Sequence, residues 1–117
     1  MKLNDIFERA ARLMGISDEF FAENDAGELK KRALCAINTA LFDLCEMPPA
    51  KTLVEEVEIS GAAADAGVYG TAMFLSLAFG DTAKAGLFSK MYSDKRAAFK
   101  SRITAVRDAL PKTEETA

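Results

Sequence analysis

Ala64-Asp65-Ala66-Gly67-Val68-Tyr69-Gly70-Thr71-Ala72-Met73-Phe74-Leu75-Ser76-Leu77-Ala78-Phe79-Gly80-Asp81 decides the fold, together with the charged, periodic stretch that follows it to Leu110. The pair reads as a helical hairpin. The arm from Val68 to Phe79 is apolar almost all round, which predicts a helix buried between other elements. Gly80 suits the left-handed residue that closes a helix. Asp81 suits the cap of the next one, since its carboxylate can accept hydrogen bonds from exposed N–H groups of the first turn. In the second arm Phe88, Tyr92, Phe99, Ile103, Val106 and Leu110 recur at helical spacing and make one stripe, and Pro111 stops it. Lys95 falls inside that stripe. Its stem can run along the core with the ammonium at the edge, or that part of the seam faces another chain.

Working outward, Asn4 is expected to cap a first helix from Asp5 to about Met14, with Leu3, Ile6, Phe7, Ala10 and Met14 on one face and Gly15 at its end. Residues 17–24 form a connector whose Phe20 and Phe21 plug the core edge or offer a contact. Asp25 and Glu28 have the spacing of a capping box for a second helix, Ala26 to about Met47. Its seam is Leu34, Ile37, Leu41 and Leu44, widened by Ala33, Ala40 and Cys45. Lys30, Lys31 and Arg32 read as a solvated face. Pro48 and Pro49 break the chain. Lys51 to Ser60 contains Val54, Val57 and Ile59, but the alternation is imperfect and no neighbouring strand is in view, so it reads as an extended loop with anchoring side chains.

The expected fold is therefore all-α, a small antiparallel bundle of about four helices with an extended loop between helices two and three. It occupies residues 1–110, followed by a polar C-terminal tail, 111–117. The second and fourth helices, the longest, are expected to pair along their lengths. Gly67 and Gly70 weaken a helix by ~1 kcal/mol each relative to alanine. Their presence predicts a close approach to a neighbour.

The chain of 117 residues carries a net charge of −3 and is half apolar, which suits one small folded domain. The charge is uneven. Residues 1–83 hold 7 Lys/Arg against 14 Asp/Glu, whereas residues 84–112 hold 8 Lys/Arg against 2 Asp. The basic last helix thus docks on the chain's own acidic body, stays solvated, or is offered to another subunit or to nucleic acid. Cys35 and Cys45, ten residues apart on one helix, are ~15 Å apart and too distant for a bridge. They read as reduced core residues of a cytosolic protein. No signal peptide and no membrane span is expected.

The chain has no histidine. This removes the commonest general base and zinc ligand. Glu55, Glu56 and Glu58 are the densest carboxylates, in an exposed loop with no evident partner to perturb them. No phosphate-binding loop or calcium loop is present. An enzyme is not expected, and no cofactor or metal is assigned. The residues offered for interaction are Lys90, Arg96, Lys100, Arg102, Arg107 and Lys112. Of these, Lys90, Arg96, Lys100 and Arg107 are spaced to be partly co-facial. Asp94 and Asp108 interrupt that face, and no recognition helix precedes it.

One layout is distinctive. A short first helix leads to Leu29-Lys30-Lys31-Arg32-Ala33-Leu34-Cys35-Ala36-Ile37-Asn38-Thr39-Ala40-Leu41-Phe42-Asp43-Leu44. A polar loop follows, then Tyr69 to Asp81, then Phe88-Ser89-Lys90-Met91-Tyr92-Ser93-Asp94-Lys95-Arg96. Across residues 3–108 this resembles the small helical head–tail connector (adaptor) proteins of tailed bacteriophages, as found in prophages of Gram-positive bacteria.

The resemblance implies a structural subunit that assembles as a ring joining the portal protein to tail-joining proteins. Assembly would take place in the bacterial cytoplasm, and the subunit would end in the virion. It also implies that Arg102 to Ala117 faces the portal. In such a ring the basic helix meets an acidic face of the next subunit, or its lysines face DNA in the channel. The loop after Pro48-Pro49 is short for the family. The alternative reading is a small helical DNA-binding or regulatory protein of the bacterial host.

Overall fold

A computed structural model describes residues 1–16 and 27–109, with side chains described as far as Arg102. The protein is all-α. Among the described residues four helices follow in order: α1 (Leu3–Leu13), α2 (Gly27–Cys45), α3 (Gly61–Ala78) and α4 (Thr82–Ala109). Phe20, Phe21 and Asp25 lie outside the described residues, as do Leu110, Pro111 and the tail.

The hairpin forms as its sequence dictates. Ser60 opens α3 by accepting a hydrogen bond from the N–H of Ala63 at 3.1 Å. Gly80 closes it at φ +75°, and Asp81 Oδ1 accepts from the N–H of Lys84 at 3.0 Å. Along the arms Asp65 faces Lys95 and a Gly70 Cβ would meet the Tyr92 ring, so α3 and α4 run antiparallel.

Helix α3 is the central element and packs on all three others. Ala63, Ala64, Ala66, Gly67, Gly70 and Ala72 are small, so the neighbouring backbones come close. The nearest approach is at Gly70, where a Cβ would lie 2.7 Å from Tyr92 Cε1 and 3.0 Å from Ala40 Cβ. At Gly67 it would meet Leu41 Cδ2 at 3.3 Å. The expected close approach is thus present. The pairing of α2 with α4 along their lengths is not: α3 packs on both, and α2 reaches α4 near its C-terminal end. The burial of α3 also has an end. Leu77 and Phe79, at the hairpin tip, are about half exposed.

Helix α1 starts differently from the sequence expectation. Its cap position is Lys2, which makes no side-chain cap bond, and Asn4 instead donates to Glu8 Oε1 at 3.1 Å. The first-turn N–H groups find backbone acceptors in the distant loop: Leu3 N–H on Glu55 O at 3.1 Å and Asn4 N–H on Leu53 O at 2.8 Å. The N–H of Val57 returns a bond to Met1 O at 2.9 Å. The loop is extended and anchored, as expected, with Leu53, Val57 and Ile59 packed against the core. Its partner is the chain's own beginning, through a single antiparallel bridge between Lys2 and Glu56.

Two further readings of α2 change. Its core face is Leu29, Ala33, Ala36, Ile37, Ala40, Leu41 and Leu44, with Leu34 only half-buried. Cys35 and Cys45 fall off that face and are exposed, so they are not core residues. The helix ends at Cys45 rather than Met47, because Glu46 takes a left-handed conformation (φ 54°) while its N–H still reaches Phe42 O at 2.8 Å. A non-glycine residue there costs about 1–2 kcal/mol, and the Pro48-Pro49 pair that follows cannot continue a helix.

Candidate functional site

The basic helix α4 carries most of the candidate residues, and two acidic side chains from the body decide how it sits. Asp43, near the end of α2, accepts three bonds from α4. Tyr92 Oη donates to its Oδ2 at 2.6 Å, Arg96 Nε to the same oxygen at 2.7 Å, and an Arg96 terminal nitrogen to Oδ1 at 3.2 Å. The fork of the guanidinium matches the two carboxylate oxygens, which is the stronger geometry for such a pair. The Arg96 and Tyr92 bonds hold the Asp43 carboxyl below the usual carboxylate range. Burial, and then the hydrogen bond to Asp43, push the Tyr92 phenol well above its ordinary value, so it stays a protonated donor.

The second anchor is Asp65, the one charged residue of α3. Lys95 Nζ donates to its Oδ2 at 2.7 Å and Arg9 of α1 to its Oδ1 at 3.0 Å. The Lys95 ammonium also lies 5.1 Å from the centroid of the Tyr69 ring. The Lys95 bond, followed by its charge and that of Arg9, lowers the Asp65 pKa. Asp65 thus ties three helices at one point. Nearer the hairpin, Lys84 Nζ donates to Met14 O at 2.9 Å and fastens α4 to the end of α1.

Of the sequence-derived residues, Arg96 is therefore committed to an internal pair. Lys100 sits close enough to Asp43 to stabilise its charge. Lys90 and Arg102 are exposed and form no ion pair among the described residues. On a helix of 3.6 residues per turn, Lys90 is turned about 120° from Arg96 and about 80° from Lys100, and Arg102 about 160° from Lys100, so the candidate cations do not make one continuous face. Arg102 lines a depression of about 380 Å³ with Arg9, Gly61, Asp65, Lys95 and Phe99. The side chain of Arg107 and the whole of Lys112 lie outside the described residues.

Sequence reasoning missed Asp43 and Asp65 as anchors. A signal existed for Asp65, a lone acid in an apolar helix that faces the lone lysine of an apolar stripe. Asp43 gave none, because its partners lie about fifty residues away. The loop carboxylates also differ from expectation. Glu55 Oε2 accepts the N–H groups of Lys51 (2.6 Å) and Thr52 (2.8 Å), and these bonds lower its pKa, that of Thr52 foremost. Glu56 and Glu58 are exposed and make no ion pair among the described residues.

The described residues contain no group of three or more His, Cys, Asp or Glu placed to hold a metal ion. No described helix is long and apolar enough to cross a membrane. No family model, curated protein or solved structure matches the chain.

Proposed function

We propose that this chain is a structural subunit of a prophage head–tail connector, an adaptor that assembles as a ring between the portal protein and the tail-joining protein. The proposal includes assembly in the bacterial cytoplasm and incorporation into the virion. The observation that carries it is the mounting of α4. Its inner side is locked to the body through Asp43–Arg96 and Asp65–Lys95, while Lys90 and Arg102 stay exposed. A long helix held rigidly and presenting charge outward suits recognition by another macromolecule. The short α1, the α2 segment, the polar loop and the apolar-then-basic hairpin also follow the order on which the adaptor resemblance rests.

The test is a tagged pull-down from the source bacterium after prophage induction, alongside the double variant Lys90→Glu with Arg102→Gln. Neither side chain forms an anchor bond, and the neutral glutamine adds no negative charge beside Asp65, so the variant is expected to keep its helical content. Recovery of portal and tail-joining proteins by the wild type, reduced for the variant, is the expected result. Recovery of duplex DNA with strong salt dependence and no virion protein would overturn the connector reading and favour a regulatory one.

A further inference from the structure

The loop between α2 and α3 has an open backbone edge, and we infer that residues 55–59 dock an extended, lysine- or arginine-bearing segment of a partner protein by backbone pairing. The geometry follows from the bridge to Lys2. Leu3 N–H bonds Glu55 O and Val57 N–H bonds Met1 O, so Lys2 and Glu56 are opposed as the non-hydrogen-bonded pair of an antiparallel ladder. In that arrangement the N–H and C=O groups of Glu56 point away from Lys2, toward the other edge. Glu58, two residues on, repeats the direction. Neither residue's backbone groups have a partner among the described residues.

The same stretch is held ready for pairing. Its inner side chains, Leu53, Val57 and Ile59, pack on the core. Glu55 fastens the preceding turn through the Lys51 and Thr52 N–H groups. The strand thus needs little ordering when a partner arrives, which lowers the entropic penalty of binding. Unpaired edges of this kind template a further strand.

Charge selects the occupant. The outward side chains are Glu56 and Glu58, both exposed, and Val54 just before them is 72% exposed. Lys2 stands across from Glu56 on the inner side. A lysine or arginine opposite Glu56 on the added strand would complete an alternating cross-strand row, and a second opposite Glu58 would meet a carboxylate with no ion pair of its own. An apolar residue beyond them would cover Val54.

The test uses the full chain, isotopically labelled, and a short blocked peptide alternating threonine and lysine, titrated by amide NMR. The expected result is binding in the millimolar range, with the largest shifts at the Glu56 and Glu58 amides and slowed exchange there. The same peptide N-methylated at alternate residues, which blocks its backbone bonds without touching the protein, is expected to bind about tenfold more weakly or worse. A peptide with glutamate in place of lysine is expected not to bind. Glu56→Gln with Glu58→Gln should remove the salt-sensitive part of the affinity. No shift at these amides, or equal binding of the N-methylated peptide, would overturn the inference. Neither outcome bears on the connector proposal.

Discussion

Replacing Gly70 by alanine sets two effects of opposite sign against each other. Alanine is favoured over glycine inside a helix by ~1 kcal/mol, so propensity alone predicts a more stable protein. The structure predicts the reverse. The added Cβ would sit 2.7 Å from Tyr92 Cε1 and 3.0 Å from Ala40 Cβ. Ala40 Cβ is fixed to the backbone of α2 and cannot yield. The Tyr92 ring can yield only by pulling its hydroxyl from Asp43, to which it donates at 2.6 Å. Overpacking costs ~1–3 kcal/mol, and weakening a hydrogen bond to a carboxylate adds ~1 kcal/mol. After the propensity gain, the net loss is ~2 kcal/mol. For a domain of this size that lowers the melting temperature by ~10 °C. Gly86→Ala is the internal control. It lies in α4, exposed, with nothing within 4 Å of where a Cβ would lie, and should gain ~1 kcal/mol. Urea and thermal unfolding followed by circular dichroism would read both. A Gly70→Ala protein as stable as the wild type would refute the claim that α3 is placed by steric necessity.

Two other predictions follow from polar groups. Ser76 is fully buried and its Oγ has no partner among the described residues, so Ser76→Ala should raise stability by ~1–2 kcal/mol in urea unfolding, and a loss would show that the hydroxyl is satisfied. Asp43 and Asp65 have lowered pKa values in the folded state, so their contribution is present above the unfolded value near pH 4 and is lost as pH falls through the lower folded values. Their side chains are about 40% exposed (42% and 39%), and solvent screening keeps each pair to ~1 kcal/mol or less. Urea unfolding of Asp43→Asn should therefore show its full deficit at pH 7 and a shrinking one below about pH 4; a deficit that grew on acidification would contradict the assigned shift.

What the sequence made legible was local. Gly80 and Asp81 are adjacent to the helices they end and begin, so the hairpin could be read from a few residues. Gly67 and Gly70, inside an apolar helix, carried a non-local message in local form: the space a side chain would fill there is taken by Leu41, Tyr92 and Ala40. The start of α1 was illegible for the opposite reason. Asn4 has the right chemistry for a cap, but the first-turn N–H groups are met by Leu53 and Glu55 carbonyls, some fifty residues away. Cys35 and Cys45 show residue type overruled by phase. Cysteine is usually buried, yet each stands off the stripe that Ala33, Ile37, Ala40 and Leu44 define.

The candidate site was partly legible, and its divided use of charge follows from the same packing. A basic helix lying on an acidic body invites the idea that all its cations are available. The small residues of α3 bring α4 close enough for Asp43 to hold Tyr92 and Arg96, and for Asp65 to hold Lys95. Those cations fix the orientation of α4, and a charge reversal at Arg96 would disturb the bundle as well as any contact it makes. Lys90 and Arg102 remain exposed on a helix whose rotation is already set. Assembly tests that use Lys90→Glu and Arg102→Gln therefore separate recognition from folding, which a charge reversal at Arg96 cannot do.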